Sequence, residues 1–266
     1  MTTPILVLGA GRMGGALLQG WALKQAFAPH DLLIVDPHPS QAALAAAEAG
    51  ARLNPPPAEL ADAATVLLAV KPQMWREAAA GIVPHLAADA VVVSVAAGVR
   101  AADLAEAFGG RAVARVMPIT AVAVGQGAAA VFSADARARA AAHALLDPVA
   151  GVADLEDEDL MDAATAVCGS APAYLYAFVE ALEAAGEAEG LSPDAARTLA
   201  RSTIVGAAAL LAQSGEEPSE LRRQVTSPGG TTEAALKVLM GERGLGPLMR
   251  EAAAAAVHRS RELSKS

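Results

Sequence analysis

Two glycine-rich stretches, each running into an apolar helical pattern, hold the residues best suited to chemistry. The first is Gly9-Ala10-Gly11-Arg12-Met13-Gly14, a G-x-G-x-x-G spacing directly after the apolar run that starts at Ile5. In that setting the first glycine permits a tight turn. The second lets a pyrophosphate approach the backbone, and the third lets helix and strand pack closely. Free amides and the helix dipole at that point favour negative charge. A glycine-rich turn without a ligand is the plainer alternative. The second stretch is Ser227-Pro228-Gly229-Gly230-Thr231-Thr232-Glu233. Pro228 is expected to end the preceding helix, and Gly229 and Gly230 to expose backbone amides. Thr231 and Thr232 add donors at the start of the next helix. Such a start can hold a carboxylate. An ordinary helix cap, with Glu233 in the first turn, fits the same residues.

Other candidates lie at the ends of apolar runs. Asp36 closes the second run, roughly 20 residues past the glycines, where an acid accepts hydrogen bonds from an adenosine ribose and repels a 2′-phosphate. That favours NADH, but Arg12 and His38, if the fold brings them close, would offset the charge, so NADPH or NADH both stay open. Lys71, in Ala-Val-Lys-Pro-Gln, follows the third run. In open α/β sheets, ligands bind at such strand ends. The small residues from Ser94 to Gly98 would let a nicotinamide ring lie flat against the backbone, and close packing explains them equally well. What is missing also informs. None of the five histidines forms a metal-ligand spacing with another or with Cys168, so no metal is expected. No nucleophile elbow or Ser/His/Asp set stands out. The chain thus shows a hydride carrier's site without an evident acid or base. A protonated imine, whose carbon is already electrophilic, suits such a site.

These residues need elements to position them. Ile5–Gly9, Leu32–Asp36, Thr65–Val70, a segment within Ala90–Gly98 and Ala112–Met117 read as short β-branched strands. Continuous apolar runs of this length suit a parallel sheet buried on both faces. Their spacing is that of successive βα units, hence an α/β, Rossmann-like doubly wound sheet. From about Asp157 onward no strand is apparent. One helix closes at Gly190, and a second starts at the Ser192 cap with Pro193 and ends at Gly215. Two more span roughly Thr231–Met240 and Gly246–Leu263. The acidic patch from Glu156 to Asp159 marks a boundary, giving an α/β domain over 1–157 and an all-α domain over 158–266.

Bulk properties set limits on partners. The 266 residues are 54% hydrophobic, with alanine supplying much of that figure. No run of about 18 strongly apolar residues appears, so no membrane span is expected. The start passes directly into a strand without a basic region and does not read as a signal peptide. A single cysteine excludes an internal disulfide framework and fits a reducing cytosol. With a net charge of −9, nucleic acid and anionic membranes are poor partners.

Several segments together resemble the pyrroline-5-carboxylate reductase family. They are "GAGRMGGALLQG", "AVKPQ", "VVVSVAAGV", "RVMPITAVAVGQGAAAV", "VCGSAPAYLYAFVEAL" and, most specifically, "QVTSPGGTTEAALKVL", in family order over nearly the whole chain. "ELSKS" at the C-terminus resembles bacterial members. The resemblance implies reduction of 1-pyrroline-5-carboxylate to L-proline by NADPH or NADH, with hydride going to the imine carbon. It implies a Rossmann domain, a helical domain that forms a homodimer, and often further assembly into a decamer. By the same resemblance, Gly9, Ala10, Gly11, Arg12 and Met13 hold the pyrophosphate, and Asn54 reaches the adenosine side. Val70, Lys71 and Pro72 lie along the dinucleotide, Ala96 and Ala97 lie near the nicotinamide, and Glu158 lies at the nicotinamide end. Gly230, Thr231 and Thr232 hold the substrate carboxylate, and the Thr232 hydroxyl, near the imine nitrogen, is the implied catalytic group. The chain departs from the family at Ile119 and Ala121, where Asn and Pro are usual, and at Cys168 and Ala171, where Ser and Gly are usual. A β-hydroxyacid dehydrogenase would need a helical lysine as acid or base. Between Thr165 and Gly190 there is none, and only Lys237 and Lys265 follow. A non-catalytic dinucleotide sensor dimer is the other alternative.

Overall fold

The computed structural model describes residues 2–263; Lys265 and the rest of 264–266 lie outside the described residues. The apolar runs form strands because residues of alternating direction meet a core on each side. The first segments are β1 (Ile5–Leu8), α1 (Arg12–Lys24), β2 (Leu32–Val35), α2 (Gln41–Glu48), β3 (Arg52–Leu53) and β4 (Thr65–Leu68). Then come α3 (Trp75–Ile82), β5 (Val91–Ser94), α4 (Ala101–Ala107), β6 (Val113–Pro118) and β7 (Gly127–Phe132). α5 (Ala136–Leu146), β8 (Ala150–Asp154) and α6 (Met161–Ala164) follow, and a π-helical turn at Thr165–Gly169 continues α6.

The strands form one eight-stranded sheet in the order β3-β2-β1-β4-β5-β6-β7-β8. All neighbours are parallel except β6 and β7. The order reverses beside β1, which is the switch point where a doubly wound sheet opens its ligand crevice. Ile5 and Val7 face one core cluster with Leu17, Trp21 and Leu145, while Leu6 and Leu8 face another with Trp75, Leu104 and Phe108. The period of two along β1 therefore buries both faces, as parallel strands require. The Trp21 indole N–H donates to the Leu145 carbonyl at 2.7 Å, so burial leaves that polar group satisfied.

The five strands read from sequence are present, and β3, β7 and β8 add to them. Composition hid these three. β3 has two residues, and Gly127–Phe132 and Ala150–Asp154 are rich in alanine and glycine, which signal strand poorly.

The chain divides into two units, residues 2–169 with 257–263, and residues 170–256. The second is helical throughout its regular elements: α7 (Ala171–Ala188), α8 (Pro193–Ser214), α9 (Pro218–Gln224), α10 (Thr231–Leu239) and the part of α11 (Leu245–Leu263) that runs to Ala256. The Ser192 hydroxyl caps α8 by accepting the Ala195 N–H, and Gly215, at φ +67°, ends it. The short α9 was not read from sequence, because Pro-Ser-Glu-Leu-Arg-Arg-Gln offers almost no apolar face.

Candidate active site

The glycine loop between β1 and α1 is built by exclusion. A Cβ on Gly14 would lie 2.1 Å from the Gly9 carbonyl oxygen, and one on Gly9 would lie 2.8 Å from Val70 Cγ1. Gly9 also sits at φ +91°, where a side chain is strained. Gly11 differs: a Cβ there would meet nothing within 4 Å. It is the N-cap of α1, with no side chain supplying a cap. The first and third glycines thus close the loop, and the second keeps an open approach to amides at a helix start. That is the arrangement a pyrophosphate fits.

Asp36 follows β2 and reaches into this loop. One carboxylate oxygen accepts the Ala10 N–H at 2.6 Å and the other accepts the His38 N–H at 2.7 Å. A fixed negative charge therefore stands beside the glycines. Asn54, at φ +46°, pairs with the Asp36 backbone both ways: its Oδ1 accepts the Asp36 N–H and its Nδ2 donates to the Asp36 carbonyl. Its amide head thereby holds Asp36 in place, and the residue stays exposed. Val70 packs at Gly9, while Arg12 and Lys71 are exposed and form no ion pair among the described residues.

At the end of β5 the Ser94 hydroxyl, itself buried, accepts the Ala96 N–H at 3.2 Å. Ala96 is buried, Ala97 is exposed, and Gly98 turns the chain at φ +76° toward α4. Glu158 lies at the far end of this loop. Its Oε1 accepts the Ala101 N–H at 2.7 Å and receives Arg115 Nη1 at 2.7 Å. Arg100 and Asp159 form a second pair beside it at 2.7 Å. Arg115 was missed in the sequence, although a lone charge within the apolar run Ala-Val-Ala-Arg-Val-Met is a usable signal. Nearby, Cys168 donates weakly to the Met117 and Ala128 carbonyls, and burial pushes its thiol above the ordinary range. That is a small packed residue rather than a thiolate.

The Ser227–Glu233 loop belongs to the second unit. α9 ends at Gln224, ahead of Pro228, so the proline follows the helix end without forming it. Gly229 takes φ +71°, and its N–H donates to Glu233 Oε2 at 2.5 Å. The Gly230 N–H donates to the Ser227 carbonyl at 3.0 Å. The two glycine amides expected to be exposed are therefore engaged within the loop. The unengaged amides are those of the first turn of α10, from Thr231 to Glu233, which lack helical acceptors by position. The hydroxyls of Thr231 and Thr232 have no partner among the described residues. Glu233 is held below the ordinary carboxylate range by the Gly229 amide and then by Lys237, which lies 3.1 Å away. Donors left unpaired around a helix start can hold an anion.

Residues 158–263 match the profile described as pyrroline-5-carboxylate reductase dimerisation, and residues 4–98 match that described as NADP oxidoreductase coenzyme F420-dependent. The chain is 40% identical over 273 residues to a pyrroline-5-carboxylate reductase of Pseudomonas aeruginosa, covering 100% of this chain and 98% of that protein. The structure of a pyrroline-5-carboxylate reductase from Coxiella burnetii superposes with a TM-score of 0.90 at 30% identity, over 100% of both chains. A pyrroline carboxylate reductase of Plasmodium falciparum, solved with NADP bound, gives 0.80 at 25% identity over 98% of both chains. A glycine loop open only at its middle glycine, an anion-ready start to α10 and matches along the full length converge on one conclusion: the chain belongs to the pyrroline-5-carboxylate reductase family.

Proposed function

We propose a division of labour between two helix starts. The chain is an oxidoreductase that reduces 1-pyrroline-5-carboxylate to L-proline, the last step of proline biosynthesis, with NAD(P)H supplying a hydride to the imine carbon. In the first unit, the Gly11, Arg12 and Met13 amides of the Gly9–Met13 loop would receive the pyrophosphate, those of Gly9 and Ala10 being bonded to Val35 and Asp36, and Asp36, braced by Asn54, would receive the adenosine ribose. The Val70–Pro72 strand end would line the dinucleotide, with Ala96, Ala97 and Glu158 at its nicotinamide end. In the second unit, Gly230 shapes the turn, and the amides and hydroxyls of Thr231 and Thr232 grip the substrate carboxylate. Thr232 also orients the imine nitrogen. The carrying observation is the unpaired donor set at the start of α10, formed after Gly229 and Gly230 have spent their own amides inside the loop.

The reaction needs little more from the protein. A protonated imine carbon accepts hydride without a strong acid at the site, so orientation and charge placement carry the catalysis. Neither rival is favoured: the substrate loop is present, and Thr165 to Gly190 contains no lysine. We place the functional boundary between Asp157 and Glu158. Two chains would pair through the helical segment, and dimers would assemble further into a decamer. The exposed apolar side chains of Tyr176, Val205, Leu210 and Val238 support a partnered face. No described helix is long and apolar enough to cross a membrane. We place the protein in the cytosol, where its single thiol would stay reduced.

The test is an assay of reduced-nicotinamide absorbance on adding the cyclic imine, with NADH and NADPH run side by side. Both should be consumed. Folded protein that consumes neither would refute the reading. Asp36→Ser should raise the ratio of kcat/KM for NADPH over NADH, because it removes a fixed charge opposite a 2′-phosphate. An unchanged ratio would remove Asp36 from the ribose site.

A further inference from the structure

We infer that Arg115 is a positioning residue for the Ser94–Ala101 loop and acts on it through Glu158. The inference rests on the proposed placement of the nicotinamide at Ala96 and Ala97. The loop is pinned at its start by the sheet: the Val95 N–H donates to the Leu68 carbonyl, and the Ser94 hydroxyl accepts the Ala96 N–H. Between those bonds and α4 the chain is held by the packing of Val99 into the core beside Leu104 and Phe108, while no backbone N–H from Ala97 to Arg100 is bonded among the described residues. Arg100, the N-cap of α4, provides no side-chain cap. The first amide of α4, at Ala101, is instead capped by the Glu158 carboxylate, 57 residues away in sequence. The same oxygen, Oε1, receives Arg115 Nη1.

Arg115 is rigid in a way that Arg100 is not. It lies in β6, where the ladder pairs it with Ser94 on one side and Phe132 on the other. It is only 8% exposed, and a buried guanidinium depends on its anionic partner. Arg100 is half exposed; it approaches the other oxygen, Oε2, at 3.5 Å and bonds Asp159 more closely. Arg115 therefore pulls Glu158 toward the sheet, while Arg100, which also pairs with Asp159, offers it a position nearer solvent. Without Arg115 the carboxylate is free to shift toward Arg100 and release the Ala101 amide. The far end of the loop then loosens, although Ser94 still holds its start. A carboxylate fixed by the sheet thus sets the surface on which the nicotinamide half rests, while the pyrophosphate and ribose halves depend on β1, α1 and β2.

The test separates those halves by calorimetry on the intact protein. NADH is compared with ADP-ribose, and NADPH with 2′-phospho-ADP-ribose. Arg115→Gln should weaken the whole dinucleotide about 10-fold, the scale of one charge-assisted hydrogen bond, and leave the nicotinamide-free fragment within about twofold. Arg115→Lys, which restores a cation, should recover most of the loss, and KM for the dinucleotide should rise more than kcat falls. Equal weakening of dinucleotide and fragment would mean a structural role alone and would overturn the inference, as would no weakening of either. Should Arg115→Gln fail to fold, Arg115→Met serves instead: its apolar side chain fills the same buried place without a donor to Glu158, so it should show the same differential, and equal weakening of dinucleotide and fragment would refute the inference. Wild-type protein that bound neither dinucleotide nor fragment would instead refute the placement of the cofactor.

Discussion

Both proposed ligand loops in this chain are glycine-rich helix starts, yet their glycines are required for different reasons. In the first unit Gly9 and Gly14 are forced by packing: a side chain at either would strike Val70 or the loop's own backbone. In the second unit a Cβ on Gly229 would meet nothing within 4 Å, and φ +71° alone demands glycine there. The surroundings differ in the same sense. Strands buried on both faces surround the first loop, whereas among the described residues Ala196 and Ala200 are the only buried ones of the second unit, and α7, α9, α10 and α11 bury none. The first unit holds its loop by its own core. The second holds its loop by hydrogen bonds within the loop and leaves large apolar side chains such as Tyr176, Val205 and Val238 exposed.

The largest expected effect breaks the first loop. Gly14→Ala places a methyl group 2.1 Å from the Gly9 oxygen, and should cost roughly 3 kcal/mol or more in a denaturant melt, because backbone cannot yield as a side chain does. Gly11→Ala, three residues away, should cost no more than about 1 kcal/mol, the scale of a weakened cap. It should nonetheless lower NAD(P)H affinity about 10-fold, since the methyl takes the pyrophosphate's approach. If the two variants behaved alike, the contrast between packed and open glycines would be wrong.

Next in size is Thr232→Ala in the second loop. With one donor to a charged group lost, kcat/KM for the imine should fall roughly 10- to 150-fold while NAD(P)H affinity stays nearly unchanged. A fall in cofactor affinity instead would mean that this loop does not serve the substrate.

This contrast also decided what could be read from sequence. β1, β2, β4, β5 and β6 were legible because burial on both faces leaves continuous apolar runs such as Thr65–Leu68 and Val91–Ser94. The antiparallel turn into β7 was not, since Gly-Ala-Ala-Ala-Val-Phe lacks β-branched residues until its end. The glycine loop was legible in spacing and in mechanism, because each glycine answers one local constraint. In the Ser227–Glu233 loop the composition was legible and the bonding was not: nothing in Pro-Gly-Gly says that Ser227 and Glu233 will consume the glycine amides. The Arg115–Glu158 pair joins positions far apart in the chain, so only the folded sheet brings it into view.

A smaller effect should follow from Gly229→Ala. Open space around it leaves only the backbone strain of a left-handed alanine, about 1–2 kcal/mol. Part of that strain should appear as a loosened loop, lowering kcat/KM for the imine by less than Thr232→Ala does. A stability loss as large as that of Gly14→Ala would show that Gly229 too is packed, and would erase the difference between the loops.

The smallest effect tests how the second loop manages charge. Glu233 is a negative group in the first turn of the helix that is proposed to receive a carboxylate. It is nevertheless compatible with that role, because its carboxylate turns back to the Gly229 amide and is paired with Lys237. These contacts lower its pKa, so it binds protons less readily when folded than when unfolded. The stability it contributes is thus present above the ordinary glutamate range and is lost as pH falls through its lowered folded value. Wild-type protein should therefore lose more stability than Glu233→Gln on acidification, in thermal melts run across that range. At neutral pH the same substitution keeps an acceptor for Gly229 and removes the charge, so KM for the imine should fall by at most about twofold, as the dipole's positive end becomes less screened. Parallel melts would mean that the Glu233 clasp is not populated. A rise in KM would mean that its charge orders the loop more than it opposes the substrate.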